Sequence, residues 1–237
     1  MSAIPICKVA RGEIIRRRFY EGGKGNLPQK TFFPADSLRA YLTDKKIKEI
    51  LLCKCPGCTA DLDLFRILEP DARSPQITGQ YYKTSHRHNP RPAYALFALL
   101  IYVEHPLLIF GFLDDGDFYD DDLERSTTRK PFSAEDLKHY TRDFYLRNPL
   151  DFAEFAMTFQ IAVTQFAIPY MDNGNFSSYS ASTTLPFIEE RQIGRHFEDG
   201  RYTAVGANGK VFRFKIHKEY RKFPVCSSAP LLPKLFH

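Results

Sequence analysis

Tyr94-Ala95-Leu96-Phe97-Ala98-Leu99-Leu100-Ile101-Tyr102-Val103-Glu104-His105-Pro106-Leu107-Leu108-Ile109-Phe110-Gly111-Phe112-Leu113 is an apolar run about as long as a bilayer-crossing helix. Glu104, His105 and Pro106 interrupt it at its centre, where a charge is costly and a proline breaks the helix. The run therefore predicts two buried helices, 94–102 and 107–113, that meet at a Glu-His-Pro corner, in a chain with no membrane span. His105 beside Glu104 reads as part of that corner, not as a catalytic pair.

The helical period continues on both sides. Leu38, Tyr41, Leu42, Ile47, Ile50 and Leu51 recur at three to four residues, with Asp36 or Ser37 as a cap and Thr43 or Asp44 starting a second helix. Leu62 to Leu68 reads as a short helix and Pro70 to Pro92 as a polar connector. Asp114 to Glu124 is intensely acidic but lacks the ligand spacing of an EF-hand, and reads as a solvated loop. Ser133-Ala134-Glu135-Asp136 has the form of a helix start, and Phe152, Phe155, Phe159 and Ala162 give 149–166 a helical period. The Ser/Asn/Gly-rich stretch 172–184 reads as a linker.

At 237 residues the chain holds one substantial domain, or a domain with a fragment. An aromatic content of 14%, carried by Phe and Tyr, argues for a packed core. The net charge of +5 is spread along the chain without a compact Lys/Arg block, so nucleic acid is not the expected partner. Met1 to Ala10 carries no long apolar segment of the secretory kind. The expected location is intracellular, cytoplasmic or nuclear.

Cys53-Lys54-Cys55-Pro56-Gly57-Cys58 concentrates three of the five cysteines in six residues. The two-residue gap between Cys55 and Cys58 is that of a zinc knuckle, and a tetrahedral site needs a fourth ligand. His86 or His88 is the candidate for it. The alternative is a set of reduced thiols in a loop after a helix. A C-x-x-C redox motif is disfavoured, because no thioredoxin-like βαβ pattern surrounds it. G-x-S-x-G, H-E-x-x-H and Walker loops do not occur.

Near the end, Leu185 to Gly194 reads as a strand running into a glycine, and Gly206 to His217 as a glycine turn followed by a strand. Strand, glycine loop and strand ending in G-x-x-G-x-V is how a protein kinase covers ATP phosphates. With Phe33-Pro34, Tyr94 to Leu100, His105 to Ile109, Phe112 to Gly116, Asp121 to Leu123 and Phe155 to Pro169, the chain resembles fungal proteins that join a helical N-terminal region to a Ser/Thr protein-kinase-like domain. The resemblance implies Ile193, Gly194, Gly206, Gly209 and Val211 as nucleotide-facing remnants, with ATP the cofactor of complete relatives.

The chain departs from the kinase pattern in two ways. The segment 195–205 separates the glycines, and Ala204 stands where the first glycine of G-x-G-x-x-G belongs. The V-A-I-K lysine, H-R-D and D-F-G are missing. A retained intron and a premature end would produce both departures.

The expected fold is mainly α (α+β). A basic, partly flexible lead-in spans 1–30, an α-helical domain 31–171, a linker 172–184, a truncated kinase-like N-lobe hairpin 185–222 and an irregular tail 223–237. The expected function is that of a kinase-related fragment without phosphotransfer activity. The alternative is a non-catalytic protein-interaction module on the helical domain, with a structural zinc and an unidentified protein partner.

Overall fold

A computed structural model describes residues 4–20, 31–62, 70–79, 91–115, 117–129, 132–170, 183–193, 195–196, 202–203 and 211–220. The chain is mainly helical with small antiparallel sheets. It divides into two units, Met1–Pro169 with Ser178–Pro186, and Tyr170–Ser177 with Phe187–His237.

In the first unit, α1 (Ile6–Arg16) starts at Pro5 and buries Ala10 and Ile14. Residues 6–16, expected to be part of a partly flexible lead-in, are thus a packed helix. The reason is an apolar stripe, Ile6, Ala10 and Ile14, with four-residue spacing that presents one face to the core. Polar contacts reinforce it: Arg11 Nε donates to the Tyr102 carbonyl at 2.7 Å, and its guanidinium pairs with Glu104 at 3.2 Å.

A short ladder, β1 (Phe19–Tyr20) with β2 (Thr31–Phe32), leads into α2 (Ala35–Tyr41) and α3 (Asp44–Leu51). Pro34, not Asp36 or Ser37, precedes the first turn of α2. Thr43 caps α3 by accepting the Lys46 N–H. Next come α4 (Pro56–Leu62) and α5 (Pro70–Thr78). The start of the expected connector is therefore helical. Pro75 sits inside α5 and forfeits one backbone bond, while Ser74 and Ile77 are buried and the Ser74 hydroxyl donates to the Asp44 carbonyl.

Helix α6 (Tyr94–Tyr102) buries Leu96 through Ile101 and forms the centre of the core. It ends at the expected corner, where Glu104 takes the left-handed conformation with φ 70° and the His105 N–H donates to the Leu100 carbonyl. The His105 ring lies against Phe144 and Phe155, as a packed corner residue should. A 3-10 turn (Pro106–Leu108) and a π-helical turn (Gly111–Asp115) follow in place of a regular 107–113 helix. Gly111, which opens the π-helical turn, lets the Tyr140 carbonyl oxygen approach to where a Cβ would meet it at 2.0 Å. Among the described residues, no helix is long and apolar enough to cross a membrane.

The acidic block differs most from its sequence reading. Asp120, Asp121 and Asp122 form the first turn of α7 (Asp120–Arg129), where carboxylates favour the positive helix end. Asp120 also closes α6, accepting the Ala95 and Leu96 N–H groups at 3.1 and 3.0 Å. Arg91 gathers Asp117, Asp121 and Asp122 around one guanidinium stacked over Tyr119. These carboxylates are structural, not a loose charged loop.

Ser133 and Asp136 build a reciprocal capping box on α8 (Ala134–Tyr140), so an aspartate serves here where Glu or Gln is usual. Then α9 (Arg142–Arg147) leads into α10 (Pro149–Phe166), which buries Phe152, Phe155, Phe159 and Ala162 as its period requires. Phe166 stacks on Phe33 with ring centres 4.1 Å apart, and the Phe33 N–H donates to the Gln165 carbonyl.

The second unit contains β3 (Phe187–Ile193), β4 (Arg195–His196), β5 (Tyr202–Thr203) and β6 (Val211–Ile216). Strand β3 pairs antiparallel with β6, with Ile193 opposite Val211, and β4 pairs with β5. A turn of 3-10 helix at Lys218–Tyr220 follows, with Tyr220 buried against Tyr170.

Candidate metal centre

The sulfurs of Cys7, Cys53, Cys55 and Cys58 lie within 4.8 Å of one another. A tetrahedral zinc with Zn–S bonds of about 2.3 Å holds its sulfurs about 3.8 Å apart, so the four thiols are grouped at ligand separation. Three elements deliver them. Cys7 sits in the first turn of α1. Cys53 follows the end of α3, where its N–H still donates to the Ile50 carbonyl at 3.0 Å.

Cys55 is the residue before α4, and its carbonyl accepts the Thr59 N–H at 2.8 Å. Its sulfur accepts the Cys58 N–H at 3.5 Å, the bond that a capping side chain makes to the third helical residue. Pro56 occupies the first helical position, where its missing N–H costs nothing. The C-P-G-C sequence is thus a helix start with sulfur as the cap. It turns Cys55 and Cys58 toward the same point, and the N–H bond supports the sulfur from behind.

Burial divides the set. Cys53 and Cys58 are 4% and 1% exposed, whereas Cys7 and Cys55 are half-buried and 3.5 Å apart, sulfur to sulfur. Burial pushes the Cys7 thiol up to about 12, helped by its contacts with Cys55 and Cys53. Burial likewise raises Cys58, with the neighbouring sulfurs adding to it. Burial also acts to raise Cys53, but hydrogen bonds from the Cys55 and Cys7 backbone outweigh it and leave this thiol below its ordinary value. Four thiols this close cannot all ionise without a cation among them, and a bound dication supplies that charge. Lys8 and Lys54, chain neighbours of the clustered cysteines, are exposed on the same segments.

Sequence spacing identified Cys53, Cys55 and Cys58; tertiary structure adds Cys7, forty-eight positions before Cys55. The missed signal was the stripe of α1, which places Cys7 three residues before the buried Ala10. His86 and His88, expected to supply the fourth ligand, lie outside the described residues. So do Gly194, Gly206 and Gly209; Ile193 and Val211 face each other across the β3–β6 ladder.

No protein-family model, curated protein or solved structure matches the chain.

Proposed function

We propose that the helical unit is a non-catalytic protein-interaction module whose N-terminal helix is fastened by a structural zinc bound to Cys7, Cys53, Cys55 and Cys58. The convergence of four thiols from α1, the end of α3 and the start of α4 carries this reading. All-sulfur, four-coordinate sites close the zinc to water and serve structure, whereas catalytic zinc keeps an open position. The ion ties α1 to a point more than forty residues away, so its binding free energy adds to that of folding. Partner binding is supported by exposed apolar side chains: Leu150, Met157 and Ile161, whose spacing puts them on one face of α10 opposite the buried phenylalanines, and Leu146 on α9.

Metal analysis of the full chain, purified without added metal, tests the centre. One zinc per chain is expected, and none in Cys53→Ser/Cys58→Ser. Metal-free wild-type protein that folds normally would refute the zinc.

A second reading keeps residues 185–222 as the remnant of a kinase N-lobe, with ATP bound only by complete relatives. The antiparallel pairing of β3 with β6, with Ile193 opposite Val211 across the glycine-containing segment, favours it. Two strands cannot enclose adenine, and these 237 residues hold no H-R-D aspartate or D-F-G metal ligand. Calorimetric titration with MgATP is expected to give no heat of binding.

A further inference from the structure

We propose that the four-cysteine centre is a peroxide-sensitive latch, in which Cys7 and Cys55 oxidise to a disulfide that expels the metal yet keeps α1 fastened. The proposal rests on the zinc reading above. Three observations single out this pair. Cys7 and Cys55 are the half-buried members of the set, and a bound dication holds both as thiolates, so a small polar oxidant reaches them first. Their sulfurs are 3.5 Å apart, leaving about 1.5 Å to close to a disulfide bond. Cys53 and Cys58, at 4% and 1% exposure, are shielded.

The step balances with a hydroperoxide as oxidant. One thiolate attacks a peroxide oxygen, giving a sulfenic acid and releasing hydroxide (from hydrogen peroxide). The second thiolate then displaces hydroxide from that sulfur and forms the S–S bond. Two thiolates lose two electrons in total and the peroxide gains two. With two of its four ligands consumed, the zinc leaves. The new bond joins the first turn of α1 to the start of α4, the connection the metal had made. Oxidation therefore removes the ion without freeing the helix, and a thiol reductant followed by chelation frees it.

The test uses the full chain carrying Cys226→Ser, which removes the fifth thiol. Hydrogen peroxide is added with a chromogenic zinc chelator present, and the disulfide is located by peptide mass spectrometry. One zinc released per Cys7–Cys55 disulfide is expected. Trypsin cleavage at Arg11 and Arg16 in α1 should be about tenfold slower in the oxidised, metal-free chain than in the reduced, metal-free chain. Zinc retained under excess peroxide, or a disulfide mapped to Cys53–Cys58 or any other pair, overturns the latch. A chain purified without zinc removes the preceding metal assignment alone; the disulfide map on that chain still decides the pair.

Discussion

The Asp120 carboxylate caps a helix to which it does not belong: it accepts the Leu96 N–H at 3.0 Å and the Ala95 N–H at 3.1 Å, at the start of α6. Because α6 is the centre of the core, this one side chain ties the acidic segment to the most buried helix of the fold.

Burial pushes the Asp120 carboxyl up to about 6, against the downward pull of the Leu96 and Ala95 N–H groups and of Arg39. The folded-state value lies above the unfolded one. The stability it contributes is therefore fully present below pH 3.8 and is lost as the pH rises through about 6. Urea midpoints measured across that window should fall with pH, and Asp120→Asn should abolish that component of the slope. Asp120→Ala, which leaves the two N–H groups uncapped, should cost about 1 kcal/mol.

On the zinc reading proposed above, loss of a ligand acts on α1. Altering residues behind a ligand already costs about 10–100-fold in metal affinity, and Cys7→Ser removes a ligand outright, so its zinc affinity should fall further than that. Chelator competition measures the affinity. Proteolysis within α1 should accelerate, while the Phe33–Phe166 end of the domain, held by its own stack, keeps its protection. Equal affinity in the variant and wild type would show that Cys7 does not bind the ion.

Gly111→Ala places a methyl group 2.0 Å from the Tyr140 carbonyl oxygen, a backbone atom that cannot rotate away. The π-helical turn or the end of α8 must move. A destabilisation of about 2 kcal/mol or more is expected in urea unfolding. Wild-type stability in this variant would rule out a close approach of Gly111 to the Tyr140 carbonyl.

Arg91→Ala removes the cation that Asp117, Asp121 and Asp122 share and leaves the exposed Arg125 beside Asp121 and Asp122. The guanidinium is 15% exposed, but the Asp117 and Asp121 carboxylates are 61% and 50% exposed and screened by water, so its removal should cost about 1 kcal/mol at neutral pH. High salt should recover part of the loss by screening the carboxylates. Arg91→Lys should rescue only part of it, because an ammonium cannot fork between several carboxylates while stacking on Tyr119.

The helices with a strong apolar period are legible in the amino-acid sequence alone. Residues 149–166 repeat phenylalanine at turn spacing, and α10 has those bounds. The Glu-His-Pro corner is legible because proline and charge interrupt an apolar run whatever surrounds it. Helix α5 is not, because the four prolines of 70–92 read as a connector when the packing of Ser74 and Ile77 is unknown. The acidic segment reads as loop because like charges repel until a cation is placed among them, and Arg91 is some thirty residues away in sequence. The candidate centre is three-quarters legible: Cys53, Cys55 and Cys58 share a local motif, whereas Cys7 shares none with them.

The amino-acid sequence by itself determined the mainly helical class, the places where helices begin at Thr43, Ser133 and Pro149, and the two-residue gap that groups Cys55 with Cys58. These depend on interactions within a few residues, and local spacing encodes them. Only the tertiary structure decided that α1 is part of the core, that Cys7 completes the thiol cluster, and that Asp120 and Arg91 turn an acidic run into structure. Each of these joins groups more than twenty residues apart. Such contacts form only once burial of the apolar faces has overcome the chain entropy that keeps the segments apart.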